Sequence, residues 1–402
     1  MAHRRSQRGL DWLNFFVADV QTGFGPFVAV YLTSQAWTEV QIGFALSLGT
    51  LTAMISQVPA GALVDSVRHK RRMAAAALLA LATSAILLAA FPYTLPVLAS
   101  EMLHGFASCV LTPSIAAISL ALVGRAALGE RLGRNARYAS LGGAVAAGAM
   151  GLIGTYLSPA AVFWLTAVLT VPSLIALATI RQDDMAANIA AAQATAGKGR
   201  LTDLLKDRGI LVFAACAALF TLSNAAMLPL AATAVTRQAG DEANLIIAAC
   251  LVVPQLVVAG ISPWVGRMAQ LRGRRIVLVL GFTMLPLRGV LLALVDEPVA
   301  LVLVQALDGI SAATLNVMLP LLAADLTRGT NHFNLCMGFF GLTVGIGATI
   351  STSLGGAVAA WVSPSAAFVM LGAIGMLCVL LAWFAMPETR EAAPAGAAVP
   401  AR

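Results

Sequence analysis

Five ionisable residues lie inside long apolar runs of this 402-residue chain: Asp19, Glu101, His104, Arg288 and Asp308. Asn224 and Asn316 add neutral polarity to similar runs. An ionised group at the centre of a bilayer costs a few kcal/mol or more, so such residues face a cavity or a partner and mark ion or solute paths. A carboxylate or an imidazole can load and release a proton, whereas an arginine stays charged. Asp19 lies about 14 Å into its run at 1.5 Å per residue, near the midplane. It is the first candidate for a proton or cation site, and His104 is the fallback. Glu101 and His104 are three residues apart and share one helix face. Arg288 has three readings: a pair with Asp308 on the next helix, a contact to an anionic group, or snorkelling to the headgroups.

The elements that position these residues follow from composition. The chain is 59% hydrophobic and 11% charged, with mean hydropathy +0.88, where soluble domains carry about 25% charged residues. That excludes an ordinary soluble enzyme, a disordered protein and a coiled coil. A spanning helix needs about 20 mostly apolar residues, and twelve such segments run near 10–34, 38–61, 72–91, 96–123, 136–157, 160–180, 209–235, 244–265, 276–295, 299–325, 335–361 and 364–386. The fold class is an all-α membrane protein. Residues 1–181 form an N-terminal six-helix bundle, 182–208 a polar linker, 209–386 a C-terminal six-helix bundle and 387–402 a disordered tail. The five cysteines sit in apolar segments without CxxC spacing and read as small core residues, which leaves no metal site.

The net charge is +7, and 23 of the 25 Lys and Arg residues fall on one side of these twelve spans. That is the positive-inside pattern rather than a nucleic-acid surface. It predicts a multi-pass protein of the inner (cytoplasmic) membrane with both termini in the cytoplasm. The first apolar run is too long for the core of a cleavable signal peptide.

The chain repeats weakly at an offset of about 204. Asp19 falls opposite Asn224, and Gly61 opposite Gly266. Glu101-x-x-His104-Gly105 falls opposite Gln305-x-x-Asp308-Gly309. Asn135, Gly142 and Gly148 fall opposite Asn334, Gly341 and Gly347. Two halves related about the membrane normal are a transporter plan, with the solute site between them.

Between spans 2 and 3 the chain reads Gly61-Ala62-Leu63-Val64-Asp65-Ser66-Val67-Arg68-His69-Lys70-Arg71-Arg72, and between spans 8 and 9 Gly266-Arg267-Met268-Ala269-Gln270-Leu271-Arg272-Gly273-Arg274-Arg275. With the ending Met386-Pro387-Glu388-Thr389, these loops give a sequence that resembles the major facilitator superfamily over essentially its whole length. The resemblance implies two pseudo-symmetric six-helix bundles around a central cavity lined by spans 1, 4, 7 and 10, which carry every embedded polar residue above except Arg288. It also implies a gating motif at Gly61, Asp65, Lys70, Arg71, Gly266, Arg274 and Arg275. Asp65, at the end of span 2, can pair with an arginine or accept from a helix N-terminus and so latch the halves. Two features depart from the family's drug exporters. Glu101 and His104 stand where an Arg-x-x-Gln-Gly pattern is usual, and span 5 has no Gly-Pro step.

These features predict a transporter, not an enzyme: a proton-coupled secondary carrier that moves a small solute by alternating access. It should work in the lipid bilayer as a monomer, with the small-molecule substrate and protons as its only partners and no cofactor. No GxxxxGK[ST] phosphate loop is present. Three embedded acids against one base favour export of a small amphiphilic or cationic compound. The alternative is uptake of an anionic metabolite or chelate through Arg288.

Overall fold

A computed structural model of the chain describes residues 2–22, 24, 26–195, 206–238, 243–295 and 297–390. The described residues form helices α1 (Ala2–Thr22), α2 (Pro26–Ser34), α3 (Glu39–Ser66), α4 (Lys70–Ala90), α5 (Thr94–Val123), α6 (Leu128–Tyr156), α7 (Pro159–Thr179) and α8 (Asp183–Thr195). The second half follows as α9 (Arg208–Asn224), α10 (Met227–Gln238), α11 (Ala243–Arg272), α12 (Arg274–Phe282), α13 (Met284–Leu294), α14 (Pro298–Leu326), α15 (Phe333–Trp361) and α16 (Pro364–Phe384). Among the described residues, eleven helical stretches are long and apolar enough to cross a membrane. The twelfth expected span, the first, is divided between α1 and α2.

Proline explains the interruptions. A proline has no N–H for the carbonyl four residues earlier and crowds it. Pro26, Pro229 and Pro286 stand four residues after Thr22, Ala225 and Phe282, and the chain breaks its helix at each of these places. The halves also start their last span alike. Ser158 and Ser363 are N-caps followed by a proline, and their hydroxyls accept from Ala161 N (3.2 Å) and Ala366 N (3.1 Å).

Packing repeats with the sequence. In the first half α1 lies against α6 and α7, α3 against α5, and α4 against α7; in the second α9 lies against α15 and α16, α11 against α14, and α13 against α16. The halves meet along two seams, α3 with α15 and α6 with α11. Large apolar side chains point outward, among them Val40, Phe44, Trp361 and Phe384, which suits a lipid surround. All five cysteines are buried and free.

The gating motif sits on helix rather than loop. α3 continues through Gly61 and Asp65 to Ser66, and α11 through Gly266 to Arg272. Lys70 sustains the end of α3 by donating from Nζ to Val64 O and to Asp65 O, the latter at 3.3 Å. The start of the tail, expected to be disordered, is docked as far as Arg390. Glu388 accepts from Arg274 N (2.9 Å) and Arg275 N (3.1 Å), and Thr389 donates to Asp325 at 3.0 Å. The rest of the tail, and Lys198 and Arg200 of the linker, lie outside the described residues.

Candidate functional site

In the second half three polar side chains converge on one guanidinium. Pro286 and the break before it set the register of α13, which carries Arg288 inward to 1% exposure. Arg288 Nη1 donates to Asp308 Oδ1 at 2.8 Å and also to Asn224 Oδ1. Its Nη2 donates to Gln305 Oε1 at 2.6 Å. Asn224 ends α9, and Gln305 and Asp308 share a face of α14. Asp308 lies about 15 Å along α14 at 1.5 Å per residue and is the more exposed member of the ion pair. The pair reading of Arg288 is therefore the one the geometry supports; its charge is spent on partners within its own half. Asn224 and Gln305 take up N–H groups of the guanidinium beside the ion pair, while its buried Nε has no partner among the described residues.

The same positions in the first half carry different chemistry. At the offset of about 204 residues, Arg288, Gln305 and Asp308 correspond to Ser84, Glu101 and His104, and Asn224 to Asp19 one residue off. Ser84 is tied to Ser100 by hydroxyl–carbonyl bonds of 2.9 and 2.8 Å, which hold α4 on α5. Glu101 is 5% exposed, its Oε1 has no hydrogen-bond partner among the described residues, and none of their ion pairs includes it. Gly49 on α3 makes the room: a Cβ there would stand 2.5 Å from Glu101 Oε2. His104 stacks on Phe24, with ring centroids 3.7 Å apart and planes at 20°, and its buried Nδ1 has no partner among the described residues. The break between α1 and α2 thus delivers an aromatic ring to the imidazole. The side chain of Asp19, on α1, lies outside the described residues. Asn316 is exposed on α14 and joins neither cluster.

At the end that carries Ala2 and Arg390, here the basic end, the halves are joined. Asp65 Oδ1 accepts from Asn334 N (3.1 Å) and Nδ2 (2.7 Å), and its Oδ2 accepts from Leu335 N (2.8 Å). The carboxylate thereby satisfies the amides that open α15. Gly61 faces Asn334 O so closely that any side chain would collide with it. In the other seam Gly129 and Gly266 touch backbone to backbone. Gln270 Nε2 donates to Ala126 O at 2.7 Å, and Arg137 Nε to Ala259 O at 2.8 Å. The remaining motif cations stay within their halves. Arg71 Nη2 reaches Ala178 O at 3.4 Å, Arg274 Nε pairs with Asp325 at 2.8 Å, and Arg275 lies over the Trp383 ring, 5.4 Å from its centroid.

Sequence reasoning missed a cluster near this end, in which Asp11 and Arg131 are buried and Arg134 is exposed. Asp11 holds Arg131 and Arg134 together, the latter at 2.5 Å, and Arg131 Nε continues to Asn135 at 2.8 Å. Charged residues near span ends read as solvated, but alternation at i, i+3 and i+4 placed Arg131, Arg134 and Asn135 on one helical face and was the available signal. Gln305 was visible only as the repeat partner of Glu101.

Comparison with known proteins gives a concordant picture. A family profile described as Major Facilitator Superfamily matches residues 11–236 and 213–401. Two Mycobacterium tuberculosis proteins, the uncharacterized MFS-type transporters MT2531 (strain CDC 1551 / Oshkosh) and Rv2456c (strain ATCC 25618 / H37Rv), are each 35% identical over 392 residues, covering 96% of this chain and 94% of the relative. Among solved structures, the human organic anion transporter MFSD10 (TETRAN) superposes with a TM-score of 0.72 at 14% identity, covering 94% of this chain and 99% of that one. A variant of the E. coli fucose:proton symporter FucP superposes with a TM-score of 0.70 at 16% identity, covering 96% and 99%. These last two likenesses concern the fold.

Proposed function

The chain belongs to the major facilitator superfamily, and from that premise we propose that it is a proton-coupled exporter of a small cationic or amphiphilic compound. It works by alternating access in the inner membrane, as a monomer, with the basic end and both termini in the cytoplasm. The one-sided distribution of Lys and Arg supports that orientation. In the arrangement described, the halves are joined at the basic end.

The observation that carries the reading is Glu101. A buried carboxylate with no counter-charge costs several kcal/mol as an anion. Taking up a proton removes that cost, and rocking the halves apart restores water and releases the proton. His104, one turn away and wedged against Phe24, is placed to relay it. Asp19, near the midplane on α1, is the other candidate for the proton path of the first half. The second half offers the solute a carboxylate, Asp308, at the exposed end of its ion pair. Uptake of an anion draws less support, because Arg288 is enclosed by Asn224, Gln305 and Asp308. The fold does not choose between these readings, since the solved structures sharing it include an organic anion transporter and a sugar–proton symporter by their names.

The test is transport in liposomes reconstituted with purified protein, using a panel of lipophilic cations and an imposed pH gradient. Proton movement should accompany cation movement, and Glu101→Gln should abolish concentrative transport while solute exchange persists. Cation movement indifferent to the pH gradient, or Glu101→Gln with full concentrative transport, contradicts the proposal.

A further inference from the structure

At the basic end a cavity of about 1150 Å3 opens between the feet of α4, α5 and α7, the linker helix α8, and the turn between α14 and α15. Its walls bear Arg68, Lys70, Arg71, Arg72, Arg125 and Arg328. Asp65 is the acid on the wall, and its carboxylate is taken up by Asn334 and Leu335. These cations outnumber the one acid, so the wall is net basic and its like charges repel each other.

The local structure sharpens the imbalance. Lys70, Arg71 and Arg72 form the first turn of α4, where the helix dipole disfavours positive charge. His69 at the N-cap makes no side-chain cap bond, and that turn has no acid. Arg71 Nε is buried without a hydrogen-bond partner among the described residues. Burial pushes the Arg125 guanidinium below its ordinary value, with Asp325 opposing the shift and Arg328 adding to it. Each of these features is relieved by an anion. The opposite face of the cavity is apolar, with Ile118, Leu174 and Leu177, so an organic group is accommodated beside the charge. The volume is that of a site for a metabolite or a lipid headgroup rather than a lone small ion.

We propose that this cavity binds a phosphate-bearing anion and that the bound anion holds the basic end closed. The closing effect follows from where the cations come from. Arg68 to Arg72 and Arg125 belong to the first half and Arg328 to the second, while Arg125 Nη1 also donates across to Ala324 O. A ligand spanning these groups contacts both halves only while they are together, so its differential affinity shifts the population toward the closed form. This site lies at one end of the molecule, apart from Glu101 and Arg288, and does not depend on which solute is carried.

The test uses full-length protein in neutral detergent, with inorganic pyrophosphate as the soluble probe and thermal unfolding as the readout. For the lipid source, the same protein is placed in phosphatidylcholine nanodiscs with or without phosphatidylglycerol, and retained lipid is identified by native mass spectrometry. Saturable stabilisation by pyrophosphate that weakens at least tenfold in Arg71→Gln and Arg125→Gln, but not in the exposed control Arg5→Gln, supports a soluble phosphate ligand. Selective retention of phosphatidylglycerol that is lost in the same two variants supports a lipid headgroup. Failure of both probes, or equal effects in Arg5→Gln and the two cavity variants, overturns the proposal. Because Arg71→Gln and Arg125→Gln act at separate helices, misfolding of one leaves the other as a valid test.

Discussion

Asp65 Oδ1 receives both the backbone N–H and the side-chain Nδ2 of Asn334, a residue of the opposite half, at 3.1 and 2.7 Å. Hydrogen bonds to a charged group contribute about 1.5–3 kcal/mol each. Asp65→Asn is therefore expected to lower the closed-to-open ratio of the basic end by tenfold or more while the protein folds normally. Disulfide cross-linking between Ala126→Cys and Gln270→Cys, across the second seam, reports this. Yield should fall sharply in Asp65→Asn, and an unchanged yield would count against the latch.

Gly266→Val should open the same end without touching a charge. A side chain there collides with Gly129 O, and neither backbone can withdraw without parting α6 from α11. Ser262, fully buried in this seam, becomes the reporter. Maleimide labelling of Ser262→Cys from the basic side should rise several-fold in the Gly266→Val background. Labelling that stays low would mean the seam relaxes locally.

On the proposed proton coupling, Asp19 and His104 are the candidates for a second proton-handling role beside Glu101. Asp19→Asn is expected to remove gradient-driven transport while leaving some binding or exchange, because its counterpart Asn224 cannot ionise. His104→Gln should slow transport several-fold without uncoupling it. Full coupling in Asp19→Asn together with its loss in His104→Gln would move the proton site entirely onto α5.

Removing one member of the Arg288–Asp308 pair leaves a buried charge without compensation, at a cost of about 3–5 kcal/mol. Asp308→Asn and Arg288→Met should each lower the melting temperature strongly, whereas the double variant should lose clearly less than the two combined. Additive losses in that cycle would show that the two side chains are energetically independent.

Much of this architecture was legible as periodicity and repetition. Long apolar runs marked the spans, and the matched Glu101/Gln305 and His104/Asp308 positions marked corresponding places in the two halves. Interruptions at Pro26, Pro229 and Pro286 follow from local backbone chemistry, yet apolar content alone reads straight across them. Pairing was less legible. Whether Arg288 turned to the headgroups or to Asp308 depends on the rotation of α13 about its axis, which hydropathy leaves undetermined because lipid and core are both apolar. The Asp11–Arg131–Arg134 cluster was hidden for the opposite reason: charges near a membrane boundary resemble solvated loop residues until tertiary packing encloses them.

The two seams do the same work by different means. One rests on a carboxylate, Asp65, set against amide donors; at the matching place in the other stands Gln270, beside the bare backbones of Gly129 and Gly266. Ionic strength and acidity act on the first and leave the second nearly untouched. Close backbone packing is common to both seams, since Gly61 meets Asn334 O in the first as Gly266 meets Gly129 O in the second. A change of salt or acidity at the basic end would therefore loosen one edge of the closure and leave the other in place.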